Sequence, residues 1–211
     1  MKKNLLLLTM IVPLALDAIT VNGKDLKKII AASQVLSFTP GEGDNIVFAF
    51  DGQNLNLGSL TINNHNEIQK GFNFLEQNRD KMSSLTAGAI LSVQSGLTSS
   101  HEETYLSARE KIILQAGTSM VISNSIMESP RISLIANQLD INCFIKDCKH
   151  LQIEPMSEQS PFKVIHFSLS DDSQYPLFAQ GIVDLSTGKT DSFTVLGATE
   201  VDIVFNKHVF E

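Results

Sequence analysis

The chain has 211 residues, 43% of them hydrophobic and 18% charged, with a formal net charge of -7. That is enough apolar material for one large domain or two small ones. The acidic balance without a basic cluster argues against nucleic acid, whose affinity comes from neutralised phosphates, and against docking on anionic lipid headgroups. There is no Trp and there are two Tyr, Tyr105 and Tyr175, so aromatic platforms for bases or sugars are lacking. The 12 Phe predict core packing.

Residues 1–18, MKKNLLLLTMIVPLALDA, join a basic start (Lys2, Lys3) to an apolar run from Leu5 to Leu16 and a small Ala18. They read as a secretory signal peptide, although Leu16 and Asp17 are unusual beside a cleavage point. The run is too short to span a bilayer comfortably. An uncleaved anchor and a buried element of the fold are the alternatives.

Residues 19–84 read as a small β-rich region with a helix. Ile19 to Val21 enters a turn at Asn22-Gly23. Asp25 caps a short helix over 25–32. Strands are expected over 34–38 and 45–50, around a turn at Pro40-Gly41-Glu42-Gly43. This Gly-Glu-Gly lacks the Lys, the Ser/Thr and the following helix that a phosphate loop needs. Leu55, Leu57, Leu60 and Ile62 alternate again. Residues 65–84 are the best helix: Ile68, Phe72, Leu75 and Met82 fall on one face, Asn66 caps the start, and Gly71 weakens it. The Phe stripe reads as packing rather than as a cofactor box.

Residues 85–145 are a series of short apolar-alternating runs separated by Gly, Ser, Asn or Pro. Ile90, Ser92 and Gln94 alternate with Leu91, Val93 and Ser95. Ile112, Leu114 and Ala116 share a face, as do Met120 and Ile122, then Ile132, Leu134 and Ala136, then Leu139, Ile141 and Cys143. Period-2 patterning marks strands with one buried face. Strands this short and close predict a meander or a β-solenoid, whose rungs need neighbours to be stable. Residues 146–161 read as a linker. Residues 162–211 read as a second β unit, with strands over 162–169, 177–185, 192–196 and 201–205 and a turn at Thr187-Gly188.

Within the repetitive segment, Lys111–Gly117 is a strand ending in Ala-Gly. Thr118-Ser119 is a small polar pair, Met120–Ser123 a hydrophobic strand and Ile126–Pro130 a turn. Arg131–Asn142 carries an ISL strand and a second strand ending at Asp-Ile. This order resembles the needle region of VgrG-type spike proteins of the type VI secretion system, over about 60 residues. The C-terminal layout resembles small transthyretin-like modules that sometimes follow such needles. The resemblance implies a homotrimeric β-prism wound around a shared apolar axis. It also implies a secretion-apparatus, tip or effector protein as partner, with only transient membrane contact.

Sites of chemistry are sparse. His65, His101, His150, His166 and His208 have no ligand spacing, and His166 reads as a half-buried sheet residue. His101-Glu102-Glu103 reads as a solvated loop between strands rather than an acid–base pair. Asp171-Asp172 reads as an Asx-type turn, with calcium as the alternative. No Ser sits in a nucleophile elbow or beside His and Asp partners. Cys143 and Cys148 are read either as a disulfide across a turn at Lys146-Asp147, in an oxidising compartment, or as two free thiols. With His150 they fall short of a four-ligand zinc site.

The expected fold is mainly β: a repetitive β-helix- or β-prism-like segment followed by a small β-sandwich-like domain, with one helix in the N-terminal half. No catalytic residue, metal or cofactor is expected. The expected function is a non-enzymatic spike component, trimerising through Ile112, Leu114, Met120, Ile122, Ile132, Leu134, Leu139 and Ile141. An oligomer follows from the idea that so thin a chain cannot bury both faces of its rungs alone, and the resemblance implies that it is a trimer. The alternative is a secreted or surface β-rich binding or adhesion protein acting as a monomer. Location follows the N-terminus: secreted or periplasmic if residues 1–18 are a signal, otherwise cytoplasmic and exported by a secretion apparatus.

Overall fold

The computed structural model describes residues 19–20, 35–38, 46–48, 65–168, 176–198 and 200–205. The expected signal (1–18), the helix over 25–32, the Gly-Glu-Gly turn, the 55–62 alternation, Asp171-Asp172 and His208 lie outside these residues.

The chain forms a parallel β-solenoid of about three turns. Its strands are β1 (Ile19–Thr20), β2 (Val35–Phe38), β3 (Ile46–Phe48), β4 (Ser83–Ala87), β5 (Ile90–Ser95), β6 (Thr98–Glu102), β7 (Thr104–Ala108), β8 (Lys111–Ala116), β9 (Ser119–Glu128), β10 (Arg131–Ile135), β11 (Gln138–Lys146) and β12 (His150–Glu154). Three faces emerge from the pairing. β4 and β7 run parallel to the second half of β9, which pairs with the second half of β11. β2, β5, β8, β10 and β12 stack in that order on the second face. β3, β6 and the first halves of β9 and β11 make the third, with β1 beside β3.

Register explains why the alternation works. Ile112 lies on Ile132 and Leu114 on Leu134, and the next turn adds Leu151 and Ile153. Like residues therefore stack over like, and their common direction is the solenoid lumen. Met120, Leu139 and then Val183 follow the same rule on the third face. Each Leu or Ile so buried contributes about 1.5–3 kcal/mol of transfer free energy.

The eight residues expected at a trimer axis are at most 1% exposed within a single chain. They face the lumen of one chain's own solenoid, where that chain by itself covers them. A three-faced coil closes on itself, which a flat run of short rungs cannot do.

The C-terminal strands β13 (Phe162–Ser168), β14 (Leu177–Asp184), β15 (Lys189–Leu196) and β16 (Glu200–Phe205) differ from an independent sandwich in their pairing. β13 lies antiparallel on β12, and β16 on β13. β14 lies antiparallel on β11, and β15 on β14. Both solenoid sheets thus continue into the C-terminal unit. Phe162, Ile165, Phe167, Leu177, Ala179 and Val183 share one core cluster with Leu134 and Ile141. The expected linker over 146–161 contains β12, whose Leu151 and Ile153 are fully buried. The reversal of direction gives the last parallel turn hydrogen-bonding partners that a free solenoid end would lack.

Helix α1 (His65–Gln77) runs shorter than expected and gives way to a 3-10 turn over Arg79–Lys81. Asn66 lies inside its first turn rather than ahead of it. Asn78 ends it, donating from Nδ2 to the Phe74 carbonyl at 2.9 Å and from its amide to the Leu75 carbonyl at 3.0 Å. Ile68, Phe72, Leu75 and Met82 form a second core with Tyr105, Ile126, Phe144 and Phe178, the outward residues of the first face. The Phe144 ring meets Phe72 edge-on at 6.0 Å and Phe178 at 5.0 Å. Phe72 packs into this core, while Phe74 is exposed.

Candidate functional site

The corners of the solenoid concentrate its polar chemistry. Between the third and first faces the chain turns at Glu103 and, one turn on, at Asn124; both have φ of 49°. The Glu103 amide donates to the Ser123 carbonyl at 3.0 Å, so the two corners stack. Ser125 Oγ sits at their centre. It accepts from the Thr104 amide at 3.1 Å and the Thr104 hydroxyl at 3.0 Å, and lies 2.8 Å from the Ser123 carbonyl to which it donates. At the third turn the register shifts between Asn142 and Cys143, and β11 passes this corner without the extra residue.

Beside the corner, His101 Nε2 shares a 2.8 Å hydrogen bond with Ser99 Oγ. Both side chains point into the lumen, and His101 is fully buried. The expectation of a solvated loop at His101-Glu102-Glu103 is therefore corrected: β6 carries Ser99 and His101 inward, and only Glu102 is exposed. A Ser–His pair is what nucleophilic catalysis requires. Here burial lowers the imidazole pKa from 6.5 to about 3, and Ser99 is buried beside it.

A second cluster joins the helical cap to the first face. Tyr105 Oη donates to Glu128 Oε2 at 2.6 Å. The Arg79 guanidinium lies over the Tyr105 ring, 3.6 Å from its centre, and also contacts Glu76 at 3.3 Å. Lys146 Nζ is 3.7 Å from the same Glu128 oxygen. Burial pushes the Tyr105 phenol up to about 12, helped by the hydrogen bond to Glu128.

Cys143 and Cys148 are free thiols in the structure, both buried in the main core. Cys143 faces the lumen from β11. Cys148 follows Asp147, which turns the chain towards β12 with a φ of 54°. Burial raises both thiols, Cys148 to about 12.

On the outer side of the second face, the rings of His150 and His166 lie 5.4 Å apart at 18°. His166 is half-buried, as its place in an alternating strand predicted; His150 is exposed. Their separation in sequence hid the pairing. Only the β12–β13 antiparallel register brings them together, and β12 itself was read as linker. Among the described residues no group of three or more His, Cys, Asp and Glu is placed to hold a metal, and no helix is long and apolar enough to cross a membrane.

No family model, no curated protein and no solved structure matches this chain.

Proposed function

We propose that this chain is a rigid, non-enzymatic β-solenoid that acts as a binding or adhesion module in its own right, displayed on or outside the cell. The observation that carries this reading is the closed lumen. Ile112, Leu114, Ile122, Leu134 and Ile141 are satisfied within one chain, so the apolar surface that motivated a trimer is already used. The outer side of the third face carries Ser100, Ser119 and Ser123 around an exposed Val121. Stacked rungs hold such side chains at fixed spacings of about 4.8 Å, which suits recognition of an extended partner. Export through residues 1–18 belongs to the same proposal.

The test is light scattering on the purified full chain with intact mass spectrometry on the same sample. The mass of a single chain, at or below 23.2 kDa, is the expected result. A mass of three chains with Met1 retained would overturn it and favour the VgrG-like spike. Such a trimer would have to assemble through outer faces or ends, because the lumen residues are occupied.

A further inference from the structure

We propose that His150 and His166 form a two-histidine chelate for a borderline divalent transition metal, of the Zn2+, Ni2+ or Cu2+ kind. The two residues stand on adjacent antiparallel strands. His150 faces Ser168 and His166 faces Gln152, so the imidazoles are diagonal neighbours on one side of the sheet. Diagonal pairs are within reach for long and aromatic side chains. The ring centres are 5.4 Å apart. Metal–nitrogen bonds of about 2.0–2.1 Å at a tetrahedral angle put two ligating rings roughly 5 Å apart, centre to centre. The rings are therefore already at chelating distance, and rotation about χ2 brings one nitrogen of each to a common ion.

The surroundings suit a cation. Asp202 on β16 lies in register with His166, and Glu200 lies in register with Ser168. Both are exposed. Gln152, directly opposite His166, hydrogen-bonds to Glu154. The nearest cation in register is Arg131, opposite His150, and its Nε donates to the Glu110 carbonyl at 3.4 Å, one turn further down. Imidazole selects Zn2+, Ni2+ and Cu2+ over the oxygen-seeking Ca2+ and Mg2+. Two protein nitrogens leave the remaining positions to water, or to a ligand supplied by whatever the solenoid binds. The site lies on an outer face and is independent of the lumen. Its failure would leave the monomeric-solenoid reading standing.

The experiment is calorimetric titration of the untagged full chain with Ni2+ and with Zn2+, repeated on His150→Gln and His166→Gln. His150 is exposed and His166 half-buried, and circular dichroism confirms that each variant keeps the wild-type spectrum. The expected result is saturable binding of one ion per chain, weakened at least roughly tenfold in either variant, with the double variant no worse than the singles. Mg2+ gives no heat at the same concentrations. Absence of saturable binding would overturn the proposal. So would equal affinity in wild type and both variants, or a loss that follows replacement of His65 or His208 instead.

Discussion

A β-carbon on Gly117 would lie 1.9 Å from the carbonyl oxygen of Gly96, one turn below it. The contact is between two backbones, so no side chain can swing aside. The Gly117 amide donates to the Ser95 carbonyl at 3.0 Å, and the Thr118 amide to the Leu97 carbonyl at 2.7 Å. These bonds draw successive corners together until only hydrogen fits between them. Gly117→Ala should cost about 3 kcal/mol or more, at the upper end for overpacked sites. Urea unfolding followed by circular dichroism measures it. A midpoint unchanged from wild type would mean that the corners do not stack this closely.

His101 should make the fold acid-sensitive well above the range of carboxylates. Its folded-state pKa is about 3 against 6.5 for the free side chain. The unfolded chain therefore binds the proton that the folded chain refuses. Stability is complete above pH 6.5 and is lost as pH falls from there towards 3. Between pH 7 and pH 5 the loss should be about 2 kcal/mol, at 1.36 kcal/mol per pKa unit. His101→Gln keeps a hydrogen-bonding side chain but no titrating group. Its urea midpoint should change less between the two pH values than that of wild type. An identical pH dependence in both proteins would place the proton elsewhere.

The solenoid strands were legible because their alternation is strict. Leu91 and Val93, Ile112 and Leu114, and Ile132 and Leu134 each announce a lumen face by period alone. What the alternation could not reveal was where the lumen lies. Inward-facing rows look the same whether they meet other faces of their own chain or the rows of two other chains. Three-sided closure depends on corners such as Glu103 and Asn124, whose left-handed backbone has no mark in the sequence beyond the tolerance of Asn for it. β6 was lost because its inward residues are Ser99 and His101, which read as solvent-facing. β12 was lost because His150, Gln152 and Glu154 surround its two apolar residues with charge and polarity. The His150–His166 pair disappeared with it.

The thiols of Cys143 and Cys148 should be almost inert in the native protein. The reactive species is the thiolate, and burial holds both thiols well above their usual range. Cys143 is fully enclosed in the lumen, and Cys148 is nearly so. A chromogenic disulfide reagent at pH 8 should release about two equivalents of chromophore promptly in urea, and far more slowly without it. Fast reaction of one thiol under native conditions would show that the Asp147 corner opens. Absence of any titre in urea would show that the pair is bridged in the purified protein.

Tyr105 ties the helical cap to the solenoid, and its loss should loosen the cap without opening the lumen. Its hydroxyl donates to Glu128, its ring lies beneath Arg79, and its edge packs in the second core with Phe72 and Phe144. Tyr105→Phe removes the hydroxyl alone. The ring contacts survive, so the expected cost is about 1.5–3 kcal/mol, the worth of a hydrogen bond to a charged acceptor. The same residue gives a spectroscopic handle. A phenol pushed up to about 12 keeps its proton in the folded chain between pH 10 and 12, where an unfolded tyrosine would lose it. The buried, hydrogen-bonded phenol therefore stabilises the fold up to pH 10, and that contribution is lost as pH rises towards 12. The chain has two tyrosines, so ultraviolet titration should show a late ionisation step in wild type that is missing in Tyr105→Phe. If wild type ionised in one step near pH 10, neither the enclosure of the Tyr105 ring nor its bond to Glu128 would survive in solution. The cap would then rest on Ile68, Phe72, Leu75 and Met82.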